Sequence, residues 1–244
     1  MILNAWQWVV MVVAAMLVGV AKTGIAGLSL LFVSMFASVI PARRSTGLVV
    51  PLLIIGDLVA YFSYRRHAQW RHIWRLLPWT AVGMAAGYVA LGRMDDHQAR
   101  NAIGFVILGL AALHVYWRFG PKPEAREPGI WFVALIGVLI GFTTIISNSS
   151  GPLMVIYLLT TRLPKMEYVG TMAVFFLLLN ILKLPLMVSL GLITRDGLWV
   201  NLALAPAVLA GTWLGRWLLG RINQKAFENI ALVLTLLAGA KMLL

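Results

Sequence analysis

The chain has 244 residues, 61% of them hydrophobic and 11% charged, with a formal net charge of +12 and no cysteine. A soluble domain carries about 25% charged residues, so this chain has too few charges to cover a water-facing surface. The missing thiols exclude disulfides, thiolate metal sites and cysteine nucleophiles.

Apolar segments run from end to end, near 5–21, 25–40, 46–64, 76–92, 101–117, 130–146, 152–161, 168–190, 197–219 and 226–243. The first has no basic residue before Lys22, so it lacks the charged start of a secretory signal and is expected to be a retained span. It is interrupted at AKTGIAG, Ala21 to Gly27, before the short segment 25–40. The basic stretch YRRHAQWRHIW follows the third segment. Its Trp70 and Trp74, with His67 and His72, predict an interfacial belt rather than a metal site. Asp95, Asp96 and His97 predict a solvated turn or helix cap, and His114 a structural role. RFGPKPEAREP, Arg118 to Pro128, carries three prolines and mixed charges and predicts a linker. Beyond it the pattern restarts, with a second interruption at SNSSGP, Ser147 to Pro152, before the short segment 152–161. Both short segments fall below the roughly 20 residues that a helix needs to cross a bilayer.

The halves on either side of the linker match. Pro78, Gly83, Gly87, Gly92 and Arg93 correspond to Pro206, Gly211, Gly215, Gly220 and Arg221 at one offset of 128, and Gly47 and Asp57 to Gly170 and Asn180 at 123. Shared spacing of this kind points to internal duplication. Loop charge gives the topology. If each interrupted pair enters and leaves on one side, loops 65–75, 118–128, 162–167 and 220–225 share a face holding eleven basic residues against six on the other. If each pair were one continuous span, that bias would nearly vanish. The positive-inside rule then puts the basic face in the cytoplasm and both termini outside. Three crossings per half, an odd number, invert the second half. A hairpin and a pair of full crossings have the same parity, so charge leaves that choice open. The expected fold is an all-α polytopic membrane protein of two inverted structural repeats, each a broken or re-entrant helix pair followed by three transmembrane helices. The repeats are residues 1–119 and 129–244, joined by 120–128.

Ionisable side chains inside spans are costly and point to function. Lys22 lies at the first break, Asp57 is mid-span in PLLIIGDLVAYF, and Lys183 follows Asn180 by three residues in FFLLLNILKLPL, a spacing that puts both on one helix face. The lysines are candidate anion contacts, and Asp57 a candidate proton carrier or lysine partner. A structural ion pair, or a snorkelling lysine, is the alternative. At the second break Ser147, Asn148, Ser149 and Ser150 are good caps and Pro152 suits a first helical turn. A half-helix starting there would aim its unpaired N–H groups and positive end at an anion. Thr23, Gly24 and Gly27 would let backbone approach a ligand at the first break; small residues packing against a neighbouring helix are the alternative. The candidate substrate-binding set is Lys22, Thr23, Gly24, Gly27, Asn148, Ser149, Ser150, Gly151, Asn180 and Lys183, with Asp57 for proton coupling.

Lys22-Thr23-Gly24, STGLVVPLLIIGDLVAYFSYRRHAQW (Ser45 to Trp70), GFTTIISNSSGPLMVIYLL (Gly141 to Leu159) and KMEYVGTMAVFFLLLNILKLPL (Lys165 to Leu186) resemble the TauE/SafE family of sulfite exporters and toluenesulfonate permeases. The likeness covers nearly the whole chain. It implies a multi-pass permease of the bacterial inner membrane, with two inverted repeats, that moves sulfite, sulfonates or related small anions. Many members have glycine-rich clusters at both breaks, whereas here the second break is Ser147-Asn148-Ser149-Ser150 followed by Gly151 alone. The family contains both uptake and export systems, so direction does not follow. The expected function is alternating-access transport of an organosulfonate or sulfite, with an anion channel or a non-transporting assembly subunit as alternatives. No nucleophile–base constellation, phosphate loop or zinc pattern supports an enzyme. The expected partners are a small anion and the lipid bilayer, with a homo-oligomer open; neither nucleic acid nor a cofactor or metal is expected.

Overall fold

A computed structural model describes residues 4–23, 28–119, 128–161 and 163–219. Within them the chain forms nine α-helices: α1 (Ala5–Lys22), α2 (Ser29–Val39), α3 (Ala42–Tyr64), α4 (Trp70–Arg93), α5 (Asp96–Phe119), α6 (Ile130–Ser147), α7 (Gly151–Thr161), α8 (Lys165–Ser189) and α9 (Arg195–Leu219). A 3-10 turn, Arg65–His67, links α3 to α4. The expected segment 226–243 lies outside the described residues, as do Gly220, Arg221 and nearly all of the linker. By length and apolarity α1, α3, α6, α8 and α9 are long enough to cross a membrane, and the described residues form an all-α polytopic membrane protein.

The helix ends follow local chemistry. Asn4 and Gln7 close a capping box on α1, the Gln7 N–H donating to Asn4 Oδ1 at 2.9 Å and the Asn4 N–H to Gln7 Oε1 at 3.0 Å. Asp95 and Gln98 repeat this at the start of α5, at 2.7 and 3.1 Å, so the acidic turn is a helix cap. Helices α2 and α7 have 11 residues each. At 1.5 Å per residue that is about 16 Å, half of the hydrocarbon thickness of about 30 Å. Each follows an 18-residue helix across a break. Helices α4 and α5 begin earlier than the apolar pattern predicts, at Trp70 and Asp96. Their first turns are polar but helical, and hydropathy alone does not register such turns.

The outer surface is apolar. Trp6, Trp131, Trp199 and Trp213 are 71%, 86%, 71% and 71% exposed, placing amphipathic rings where lipid headgroups and chains meet them. Trp70 stacks on Trp74, with ring centroids 6.2 Å apart, at the start of α4. His72 Nδ1 lies 3.1 Å from the hydroxyl of buried Tyr157.

Helices pack tightly at glycines. A Cβ on Gly211 (α9) would lie 2.0 Å from the Met16 carbonyl oxygen (α1), and one on Gly83 (α4) 2.0 Å from that of Val138 (α6). A Cβ on Gly19 (α1) would lie 2.1 Å from the Val208 oxygen (α9), and one on Gly141 (α6) 2.0 Å from the Thr80 oxygen (α4). The α1–α9 and α4–α6 crossings therefore use the same contacts, at an offset of 122 between α1 and α6 and 128 between α4 and α9. Without a hydrophobic drive between helices in lipid, such close backbone approach supplies the packing. Helices α3 and α8 lie between these crossings and carry the polar centre.

Candidate functional site

Asp57 sits in the middle of α3, 1% exposed. Its Oδ1 lies 2.8 Å from Lys22 Nζ at the end of α1, and its Oδ2 accepts from Asn180 Nδ2 of α8 at 2.6 Å. The residue matched to Asp57 by sequence spacing is thus its hydrogen-bond partner. Lys22 also lies over the Phe176 ring, 4.8 Å from its centroid, a cation–π contact that keeps its ammonium at this spot.

Lys183, fully buried one turn beyond Asn180, meets different groups. Its Nζ donates to Asn148 Oδ1 at 2.6 Å, Thr144 Oγ1 at 3.3 Å and the Thr144 carbonyl at 3.4 Å. Among the described residues no carboxylate lies within ion-pair distance of it. With both lysines and Asp57 ionised, the cluster carries one surplus positive charge in a low-dielectric interior, where opposite charge is attracted strongly.

Asn148 ends α6 in the left-handed conformation, φ 53°, which asparagine tolerates better than most residues. That turn points its side chain across the core: Oδ1 receives Lys183, and Nδ2 donates to the Thr46 carbonyl of α3 at 2.9 Å. Ser147 and Ser149 hydroxyls bond each other, and helix α7 starts anew at Gly151.

A cavity lies among these groups. Its polar lining is Lys22, Asp57, Thr144, Asn148, Ser150 and Asn180. Phe32, Leu53, Tyr168, Met172, Ala173 and Phe176 make it otherwise mostly apolar. The space open to a water-sized sphere is about 50 Å³, room for roughly three to five waters.

The structure brings together Lys22, Asp57, Asn148, Ser150, Gly151 and Asn180 around that cavity. Lys183 stands behind it, reaching it through Asn148 and Thr144. Thr23 turns away: it is fully buried, its hydroxyl donates to the Gly19 and Val20 carbonyls, both at 3.2 Å, and it packs against Gly215 of α9. Ser149 is buried against Ser147 and does not line the cavity. Gly24 and Gly27 lie outside the described residues. Sequence reasoning missed Thr144, which sits inside the resemblance segment Gly141 to Leu159, and the α8 stripe Tyr168, Met172, Phe176. That stripe repeats every four residues up to Asn180, so it was readable as one helix face. No group of three His, Asp or Glu side chains placed to hold a metal occurs among the described residues.

A curated relative, the "Probable inner membrane transporter protein TsaS" of Comamonas testosteroni, is 27% identical over 201 residues, 80% of this chain and 81% of that protein. No solved structure matches the chain. The family described as "Sulfite exporter TauE/SafE" matches residues 11–242, the two breaks and the buried lysine–aspartate–asparagine cluster included, and the chain belongs to that family.

Proposed function

We propose that the protein is a secondary transporter of the bacterial inner membrane for a small sulfur-containing anion, sulfite or an organosulfonate, and that it works by alternating access. The observation that carries this reading is the central cavity between the two helix breaks, lined by the Lys22–Asp57 pair and by Asn148, which holds Lys183 behind it. Family membership supports transport rather than catalysis, and the name of the relative supports the inner membrane. The identical glycine crossings support two repeats, 1–119 and 129–244, in inverted orientation. The Asp57–Asn180 pair supports a symmetry axis passing through the site.

The anion's oxygens meet Lys22, Asn148, Asn180 and the start of α7 at Ser150–Gly151, where backbone N–H groups and the positive helix end favour negative charge. Lys183 adds charge from behind Asn148. Phe32, Met172 and Phe176 meet whatever apolar group the anion carries. The present volume of about 50 Å³ suits sulfite or a short-chain sulfonate. Asp57 exchanges its partner Lys22 for a proton as the anion engages the lysine, which couples anion movement to protons.

Purified protein in liposomes tests this. Sulfite and methanesulfonate are expected to bind and to show counterflow, a preloaded anion accelerating entry of the labelled one. Absence of binding to sulfite and sulfonates, or binding of carboxylates alone, would overturn the substrate class. Flux without trans-stimulation would replace the carrier with an anion channel.

A further inference from the structure

Half of the cavity wall is paired across the two halves of the chain. Leu53 pairs with Phe176 and Asp57 with Asn180 at an offset of 123; Lys22 pairs with Thr144 and Ser29 with Gly151 at 122. The rest of the α8 contribution, Tyr168, Val169, Met172 and Ala173, has no counterpart in the wall. It lies toward the Arg65–His67 turn: neighbouring Gly170 packs so closely that a Cβ there would sit 2.6 Å from the Tyr64 carbonyl oxygen.

The counterparts of those four residues, at the same offset of 123, are Ser45, Thr46, Val49 and Val50 of α3. They are 2%, 2%, 1% and 0% exposed. Asn148 clasps the Thr46 carbonyl at 2.9 Å, and a Cβ on Gly47 would lie 2.4 Å from the Leu192 carbonyl oxygen. Beyond them lies a second cavity of about 310 Å³, lined by Ile40, Arg44, Leu48, Leu192, Thr194 and Asn201 among others. Leu48 of this stretch lines that second cavity, and Asn148, which lines the central one, holds its Thr46.

We propose that Ser45, Thr46, Val49 and Val50 form a second wall of the same anion site, lining it when it opens to the face opposite the Arg65–His67 turn, while Tyr168, Val169, Met172 and Ala173 close. The inference rests on the reading of the chain as two inverted repeats around a transported anion, and it adds residues to that site. The Ser45 and Thr46 hydroxyls now donate to the Ala42 and Arg43 carbonyls, both at 2.7 Å. Facing the site they become donors to the anion's oxygens. The anion then meets hydroxyl groups on one side of the membrane and a Tyr–Val–Met–Ala surface on the other, with Arg44 at the outer mouth.

The chain has no cysteine, so single-cysteine variants can be read without a thiol background. Thr46→Cys, Val49→Cys, Met172→Cys and Ala173→Cys are labelled with a membrane-impermeant maleimide in right-side-out and inside-out vesicles. Methanesulfonate, which does not consume maleimide as sulfite does, is the transported probe. Met172→Cys and Ala173→Cys are expected to label from the face of the Arg65–His67 turn, and Thr46→Cys and Val49→Cys from the opposite face only. Holding the protein with Thr46→Cys labelled is expected to lower Met172→Cys labelling in the double variant at least fivefold. Ser45→Cys or Val50→Cys replaces an α3 variant that does not fold, and Val169→Cys an α8 one. Labelling of all positions from one face, or unlabelled α3 positions in a variant that still transports methanesulfonate, overturns the second wall. Opposite-face labelling in protein that moves no sulfur anion leaves the second wall standing and overturns the substrate reading.

Discussion

Removing Lys22 tests the electrostatics of the centre most directly. Its Nζ is 2.8 Å from Asp57 Oδ1, with side chains 12% and 1% exposed. At an effective dielectric of 20 two unit charges at that distance attract by about 6 kcal/mol. Desolvation offsets much of this, and breaking a buried pair from one side costs about 3–5 kcal/mol, because a buried charge is left uncompensated. Lys22→Met belongs at the upper end, since the Asn180 amide 2.6 Å away donates a hydrogen bond but no charge. Asp57→Asn belongs at the lower end, since Lys22 keeps the Phe176 ring and some exposure. In the double variant neither charge remains, the Asn180 contact persists in neutral form, and the cost falls to about 1 kcal/mol, the scale of a typical hydrogen bond. The expected coupling in the double-mutant cycle, the two single costs less that of the double variant, is therefore at least about 5 kcal/mol. Unfolding in mixed detergent micelles, followed through the ten tryptophans of the chain, measures it. If the double variant loses the sum of the two singles, within about 0.5 kcal/mol, the two groups are not a pair and the central charge assignment fails.

Asp57→Asn is further expected to bind the anion yet to lose the dependence of uptake on an imposed pH gradient; an unchanged pH profile of liposome uptake would remove Asp57 from coupling. Phe176→Ala takes away the ring over Lys22, a contact worth about 1 kcal/mol, and widens the cavity. Sulfite affinity is expected to fall roughly fivefold while larger organosulfonates gain relative to it, as competition binding would reveal. Gly141→Leu and Gly211→Leu each force a side chain into a carbonyl that a Cβ alone would approach to 2.0 Å. Overpacking of this kind costs about 1–3 kcal/mol or more, so both variants are expected to lose folded, monodisperse protein in size-exclusion profiles; normal behaviour of either would contradict the crossings described.

What was legible in the sequence follows from what repeats locally. The breaks at Lys22 and Asn148 announce themselves because capping and small residues interrupt apolar runs. Asp57 and Asn180 share the offset of Gly47 and Gly170, and their side chains touch. Thr144 was not recovered, because a threonine in an apolar helix looks the same whether it bonds its own backbone or a distant lysine. Thr23 was assigned to the ligand for the same reason, yet it bonds its own helix. The polar first turns of α4 and α5 escaped because hydropathy measures burial in lipid rather than helicity. Which helix meets which is a long-range property: glycines such as Gly83 and Gly211 marked positions of close approach without naming the neighbour.

The crossed glycine contacts have a consequence for how the chain is made. Helix α1 leaves the ribosome well before α9, the last helix described, which carries the surface that receives Gly19. During synthesis α1 waits in the bilayer with its groove unfilled until some two hundred residues have followed. A gene severed within 120–128 is therefore expected to yield working protein only when both fragments are made in the same cell, each acting as the scaffold on which the other closes.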